Sequence, residues 1–225
     1  MSFFEFVFER RDDILASLTR HIWLTAVSVG IAMVVGIALG IMMTRFRRLA
    51  APTLGAAGIV QTIPGIALLG LMIPIFGIGV LPAIVALSVY AVLPIVRNTY
   101  IGIVGVDPTL TEAGIGMGMT NRQLLMLVQL PLALPVMMAG IRTATVISVG
   151  VATLASPIGA GGLGDQIFQG IHMVDNNMIF AGAIPAALLA LALDGLLGLV
   201  ERKLTPGNSR KHRKAISAVG GAERP

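Results

Sequence analysis

Three groups of residues in this chain have types and spacings that could carry chemistry. The first is Gly159, Gly161, Gly162 and Gly164, within GAGGLG, which satisfies the G-x-G-x-x-G spacing. Backbone N–H groups of such a loop cradle a pyrophosphate when the loop follows a strand and opens a helix in a βαβ unit. The second is Arg97, Arg142 and Asp194, ionisable residues set within or at the ends of long apolar runs. The third is TEAGIGMGMTNRQLLMLVQLP, residues 111–131. This polar, glycine-punctuated segment places Glu112, Asn121, Arg122, Gln123 and Gln129 between runs of Leu, Ile, Val and Ala. What each group can do depends on the elements that hold it.

The chain has 225 residues, of which 56% are hydrophobic and 12% charged. That charged fraction is about half the soluble average, too small to cover a water-facing surface, so the composition predicts an integral membrane protein. The length fits one domain. With no cysteine, neither a disulfide framework nor a thiolate metal site is available. The scattered His21, His172 and His212 make no metal-ligand cluster. The N-terminal twenty residues carry four acids (Glu5, Glu9, Asp12, Asp13) and lack the basic start and small-residue cleavage site of a secretory signal.

A spanning helix needs roughly 20 apolar residues. Five candidates emerge: Ile22–Met43; a stretch within Leu54–Phe76 broken by Pro64-Gly65 and Pro74; Val80–Val96, closed by Arg97; about Leu132–Leu154; and Met178–Val200. Lys and Arg of short loops stay cytoplasmic. Arg45, Arg47 and Arg48, then Arg97 and Arg122, then the tail from Arg202 to Lys214 all fall on one side if there are five spans. The loop from Ser156 to Asn177, with two Asp and no Lys or Arg, falls on the other. The predicted fold is an all-α polytopic helix bundle of about five transmembrane helices, N-terminus outside and C-terminus cytoplasmic. Residues 1–18 read as an N-terminal interfacial segment and 19–201 as the transmembrane domain. Residues 202–225 read as a basic, disordered cytoplasmic tail that fixes topology and meets lipid headgroups rather than nucleic acid.

The segment 111–131 is then cytoplasmic, and its spacing is specific. Glu112-Ala113-Gly114 is followed by three residues and Gly118, then by nine residues and Val128-Gln129-Leu130-Pro131. This resembles the EAA loop of ABC importer permeases: Glu-Ala-Ala, three residues, Gly, nine residues, Ile, any residue, Leu-Pro. Gly114 departs at the third position, and Val128 stands for Ile. In that family the loop is a short coupling helix that docks on the ATPase subunit. Asp107-Pro108 and Thr111-Glu112 are helix-start residues. Ala113, Gly114 and Gly118 would admit close backbone approach by a partner, with Met117, Leu124, Leu125 and Leu127 offering apolar contacts. The stretches QTIPGIALLGLMIPIFGIGVLPAIVALSVYAVLPIVRNTY (61–100) and PIGAGGLGDQIFQGI (157–171) resemble permeases of osmoprotectant importers, over roughly residues 19–201. The glycine-rich stretch is also similar to methionine-type permeases.

In this setting the glycine loop follows a span, so it reads as a tight turn, and the resemblance puts it on the outer side facing a binding protein. No lysine follows a glycine, so the chain has no Walker A sequence. The resemblance implies a pore subunit that is not an enzyme and binds no cofactor itself, with ATP and Mg in partner ATPase subunits. It also implies a second permease chain (an identical copy or a homologue) and an extracytoplasmic solute-binding protein. Charges in spans require partners, and Asp194 can pair with Arg142 or with Arg97. Gln61, Thr62, Tyr90 and Asn98 are candidates for lining a pore or for bonding helix to helix. The expected function is ATP-driven import of glycine betaine, choline, carnitine or related quaternary amines. Alternatives are the same fold serving another solute such as methionine, an ion-coupled secondary transporter or channel, and a membrane anchor.

Overall fold

A computed structural model describes residues 2–204. The basic residues Arg210, Lys211, Arg213 and Lys214 of the expected tail lie outside the described residues. Every regular element among the described residues is helical.

The chain opens with α1 (Phe3–Glu9), whose first turn is closed by a reciprocal capping box between Ser2 and Glu5. Next comes α2 (Arg11–Arg45), which runs 35 residues. At 1.5 Å per residue this is about 52 Å, well beyond a hydrocarbon layer of about 30 Å. Phe6 and Ile14 pack against Met178 and Ala181. The N-terminal segment is thus seated on the bundle, and the expected boundary at residue 18 falls inside a continuous helix.

The second expected span is not one helix. Ala50–Thr62 (α3) and Gly65–Phe76 (α4) meet at an angle of 100°. Ile63 precedes Pro64 and is forced into the extended region, with φ −71° and ψ 126°, so α3 stops there. The third span is longer than expected: α5 covers Val80–Val104. Arg97 therefore sits seven residues inside its C-terminal end rather than closing it.

α5 is the centre of the bundle, packed between α2 and α8 (Leu130–Thr153). Small residues allow the contact. A Cβ added at Gly40 would lie 2.6 Å from Thr99, and one at Gly140 would lie 2.6 Å from Asn98 and 2.7 Å from the Pro94 carbonyl. Such close approach is the usual means of association where lipid gives helices no hydrophobic incentive to pair. These contacts also fix directions. Gly36 lies beside Ile95 and Gly40 beside Thr99, so α2 and α5 are parallel. Arg45 and Val80 are then at opposite ends of the bundle, and the bent α3–α4 pair carries the chain between them. Counted this way, four long helices and one broken pair make five crossings.

Two short helices, α6 (Pro108–Gly116) and α7 (Asn121–Leu124), lie between α5 and α8 at the end that also holds Arg45 and Arg47. We call this the basic end. From α7 the helix continues through a π-turn (Leu125–Gln129) directly into α8. The far end holds the glycine loop and α9 (Gly164–Met173), before α10 (Asn176–Leu204) returns along α8. α10 is helical through Leu204, so Arg202 and Lys203 belong to its last turn and not to a tail.

Candidate functional site

The segment 107–131 is a stop-and-restart device built from local rules. Asp107 caps α6, its carboxylate accepting hydrogen bonds from the Thr109 backbone N–H (2.9 Å) and hydroxyl (2.5 Å). The Thr109 hydroxyl first, and then its backbone N–H, hold the Asp107 carboxyl below the usual carboxylate range. Pro108 occupies the first helical position, where a missing N–H costs nothing. The helix ends at Gly118, whose φ of +78° is left-handed. Gly118 N–H bonds the Ile115 carbonyl at 2.9 Å and Met119 N–H bonds the Gly114 carbonyl at 3.1 Å, the paired bonds of a Schellman stop. Thr120 then caps α7 in a box with Gln123. The spacing from Glu112 to Gly118 is thus the distance from the second turn of α6 to its terminating glycine.

The structure separates residues that the sequence grouped together. Ile115 and Met117 are 59% and 72% exposed, and Leu127 is also exposed. Leu124 is not, at 6%: its side chain fills the space above Gly114, where a Cβ would lie 2.7 Å from it. Gly114 is therefore small for an internal reason, and the third position of the Glu-Ala-Gly triplet is closed to a partner. Leu125 is half-buried, packed against Ile103, Ala133 and Met137. Glu112 and Ala113 are exposed, while Leu130 and Pro131 form the half-buried first turn of α8. Between this segment and α2 lies a cavity of about 600 Å³, lined among others by Arg45, Arg47, Glu112, Asn121 and Gln129.

Asp194 pairs with Arg142, not with Arg97. The Arg142 guanidinium donates to both Asp194 oxygens at 2.9 Å in a forked contact and to Glu201 Oε2 at 2.8 Å. Gly198 makes this possible, since a Cβ there would lie 3.3 Å from Arg142 Cζ. Sequence reading missed Glu201; its spacing of seven from Asp194, two turns of one helix face, was the available signal. Arg97 is exposed and has no carboxylate partner among the described residues.

Of the polar span residues, two donate across the junction of the broken span with α5. Pro94 has no N–H to give the Tyr90 carbonyl, and Gln61 Nε2 donates to that carbonyl at 3.2 Å. The buried Tyr90 hydroxyl donates to the carbonyl of Ile63, at the α3–α4 corner. Asn98 donates to the Pro94 carbonyl at 2.8 Å, and the exposed Thr62 donates back to Ile59 at 2.7 Å.

The glycine loop is clamped internally. Gly159, Gly161 and Gly162 all have positive φ, and Gly164 abuts the Thr153 carbonyl so closely that no side chain fits. Arg20 Nε donates to the Ala160 carbonyl at 3.2 Å. His21, fully buried, accepts the Leu163 N–H at Nδ1 (3.3 Å) and so donates from Nε2 to the Val149 carbonyl (3.1 Å). Among the described residues no strand precedes the loop, so it lacks the strand–turn–helix setting that a pyrophosphate cradle needs. Nothing in the sequence marked His21 as this hub. Among the described residues no group of three or more His, Cys, Asp or Glu could hold a metal.

The described residues form an all-helical, multi-pass bundle with a broken span and a polar segment gathered at one end, and its class is a membrane transport component by the family it matches. Residues 16–206 match the family described as the binding-protein-dependent transport system inner membrane component. The chain belongs to that family and is a multi-pass inner-membrane protein. It is 46% identical to the glycine betaine/carnitine/choline transport system permease protein OpuCB of Bacillus subtilis, over 86% of this chain and 89% of the relative. It is 50% identical to the osmoprotectant import permease protein OsmW of Salmonella typhimurium, over 87% and 94%. Among solved structures it is similar to the inward-facing MetNI methionine ABC transporter, with TM-score 0.78 and 26% identity over 86% of this chain and 96% of that one.

Proposed function

We propose that this chain is the pore subunit of an ATP-driven importer for osmoprotectants: glycine betaine, choline, carnitine or related quaternary amines. The observation that carries the reading is identity of 46–50% to permeases of such solutes over at least 86% of the chain. α6 supports it, since its outward residues Glu112, Ala113, Ile115 and Met117 offer an ATPase subunit a small apolar face bearing one charge. Two permease chains enclose the pathway, identical or homologous. ATP and Mg reside in the two docked ATPases, and an extracytoplasmic binding protein delivers solute near the glycine loop. The basic end is cytoplasmic because Arg45, Arg47, Arg48, Arg122, Arg202 and Lys203 gather there, which puts the N-terminus outside. Nucleotide drives the cycle by binding one conformation of the assembly more tightly than the other. Gln61 and Tyr90 are committed to carbonyls across the α3–α4 corner and α5, whereas Thr62 and Asn98 bond only carbonyls of their own helices and are the polar groups available to line the pathway. A methionine-type cargo is the second reading, favoured by the likeness to the MetNI structure.

ATP-dependent uptake of radiolabelled glycine betaine and choline into proteoliposomes tests this, using the complex with its ATPase and binding protein. Wild-type uptake that Glu112→Lys abolishes, while ATP is still hydrolysed, is the expected result. A complex that couples to its ATPase and moves neither solute overturns the osmoprotectant assignment. Failure of any ATPase to co-purify overturns the role of α6.

A further inference from the structure

Arg97 and Arg142 occupy nearly the same level of the bundle and are treated in opposite ways. Gly140 lies against Pro94 and Asn98, so Arg142, two residues further along the antiparallel α8, is within about one helical turn of the height of Arg97. Arg142 is met by two carboxylates. Arg97 is met by none among the described residues, although the neighbouring Ile95, Val96 and Thr99 are buried. It lies level with the middle of Gly36–Gly40 of α2, about 10 Å short of Arg45, the first charge at the basic end of that helix.

A charge at that depth is costly in lipid and faces protein or water. Snorkelling is disfavoured by geometry. The Cα–Cβ bond of a helical residue tilts toward the helix N-terminus, which for α5 is the end away from Arg45. Among the described residues, a second copy of this chain offers no counter-charge at this level either. Of the described acids, only Asp194 and Glu201 lie on a spanning helix near this level, and both are held by Arg142. The others sit in the N-terminal helices, on α6 and its cap, or around α9. No described acid of this chain is left to meet Arg97.

Resting on the functional reading above, we propose that Arg97 faces the translocation pathway and receives the carboxylate of zwitterionic quaternary-ammonium solutes. It thereby sets a preference for carboxylate-bearing cargo over the bare choline cation. A fixed guanidinium attracts a carboxylate in a partly dehydrated passage and repels a cation that has none.

The chain has no cysteine, so Arg97→Cys puts a single thiol in this subunit. In the complex with its ATPase and binding protein, a charged, membrane-impermeant methanethiosulfonate should label that thiol. Glycine betaine supplied with the binding protein should slow the labelling. A thiol that the reagent reaches from neither side overturns the inference, as does labelling indifferent to solute; a site filled by an anionic lipid would give the latter. The charge is tested by the ratio of glycine betaine to choline uptake at saturating solute, which cancels losses of folded protein. Arg97→Gln should lower that ratio about tenfold, the scale of one charge-assisted hydrogen bond, and Arg97→Lys should recover most of it. An unchanged ratio overturns the proposal. Should the wild-type complex move neither solute, the osmoprotectant assignment fails by itself, and labelling at position 97 still decides whether that position lines an aqueous path.

Discussion

Gln61 on α3 donates its side-chain amide to the carbonyl of Tyr90, the one carbonyl of α5 that Pro94 deprives of its helical partner. In lipid an unsatisfied carbonyl has no water to turn to, so the broken span and the proline-containing span are fastened at the carbonyl that Pro94 leaves open. Gln61→Leu should destabilise the folded protein by about 1–3 kcal/mol, the cost of a buried unsatisfied polar group. Adding Pro94→Ala restores an N–H in α5 and should recover much of the loss. Thermal unfolding in detergent measures both, and a double variant no more stable than Gln61→Leu alone would refute the linkage.

Gly118 ends α6 with φ +78°. A β-branched residue there must pay about 1–2 kcal/mol for the left-handed backbone or let the helix run on and re-aim the following turn. Gly118→Val should therefore reduce ATPase retention in a pull-down and lower solute moved per ATP. Gly118→Asn should be milder, because asparagine tolerates that conformation.

The Arg142–Asp194–Glu201 cluster ties α8 to α10. Arg142→Gln leaves two carboxylates facing one another and should lower the melting temperature more than Asp194→Asn, which leaves Glu201 on the arginine. The exchange Arg142→Asp with Asp194→Arg should be more stable than either single substitution. If it is not, the forked contact contributes no specific pairing.

Val174 has φ +55°, a β-branched residue in left-handed backbone at the tight joint between α9 and α10. Asp175 N–H bonds the Gly170 carbonyl at 2.9 Å, and the Asp175 side chain caps α10 through Asn177 N–H at 2.9 Å. These bonds hold the turn in place despite its strain. Val174→Gly should raise stability by about 1 kcal/mol, the relief of the left-handed cost less the extra chain entropy of glycine. A lowered melting temperature would mean that the valine side chain contributes packing there.

Much of this was legible without coordinates because it is local. Runs of twenty apolar residues specify spanning helices, charge asymmetry specifies which ends belong together, and Asp107-Pro108 marks where a helix starts. The segment 111–131 stood out because its motif depends on spacing along one chain. The sequence also named the candidates for ionic pairing, but with two arginines for one aspartate it left the choice open.

Only the tertiary structure made that choice, since it depends on which helix faces meet. Gly198 and the two-turn spacing of Asp194 and Glu201 bring α10 onto Arg142, and Arg97 is left on an open face of α5. In the same way Leu124, read as a surface contact, turns inward because Gly114 leaves it room. The second span breaks by 100° because Pro64 bars its preceding residue from the helix while Gln61 and Tyr90 hold the corner against α5. By itself the sequence determined the membrane, the helices and the polar segment, all set by short-range composition and capping. Which charge meets carboxylates among the described residues was decided by contacts 52 and 59 residues apart, where local rules give no preference.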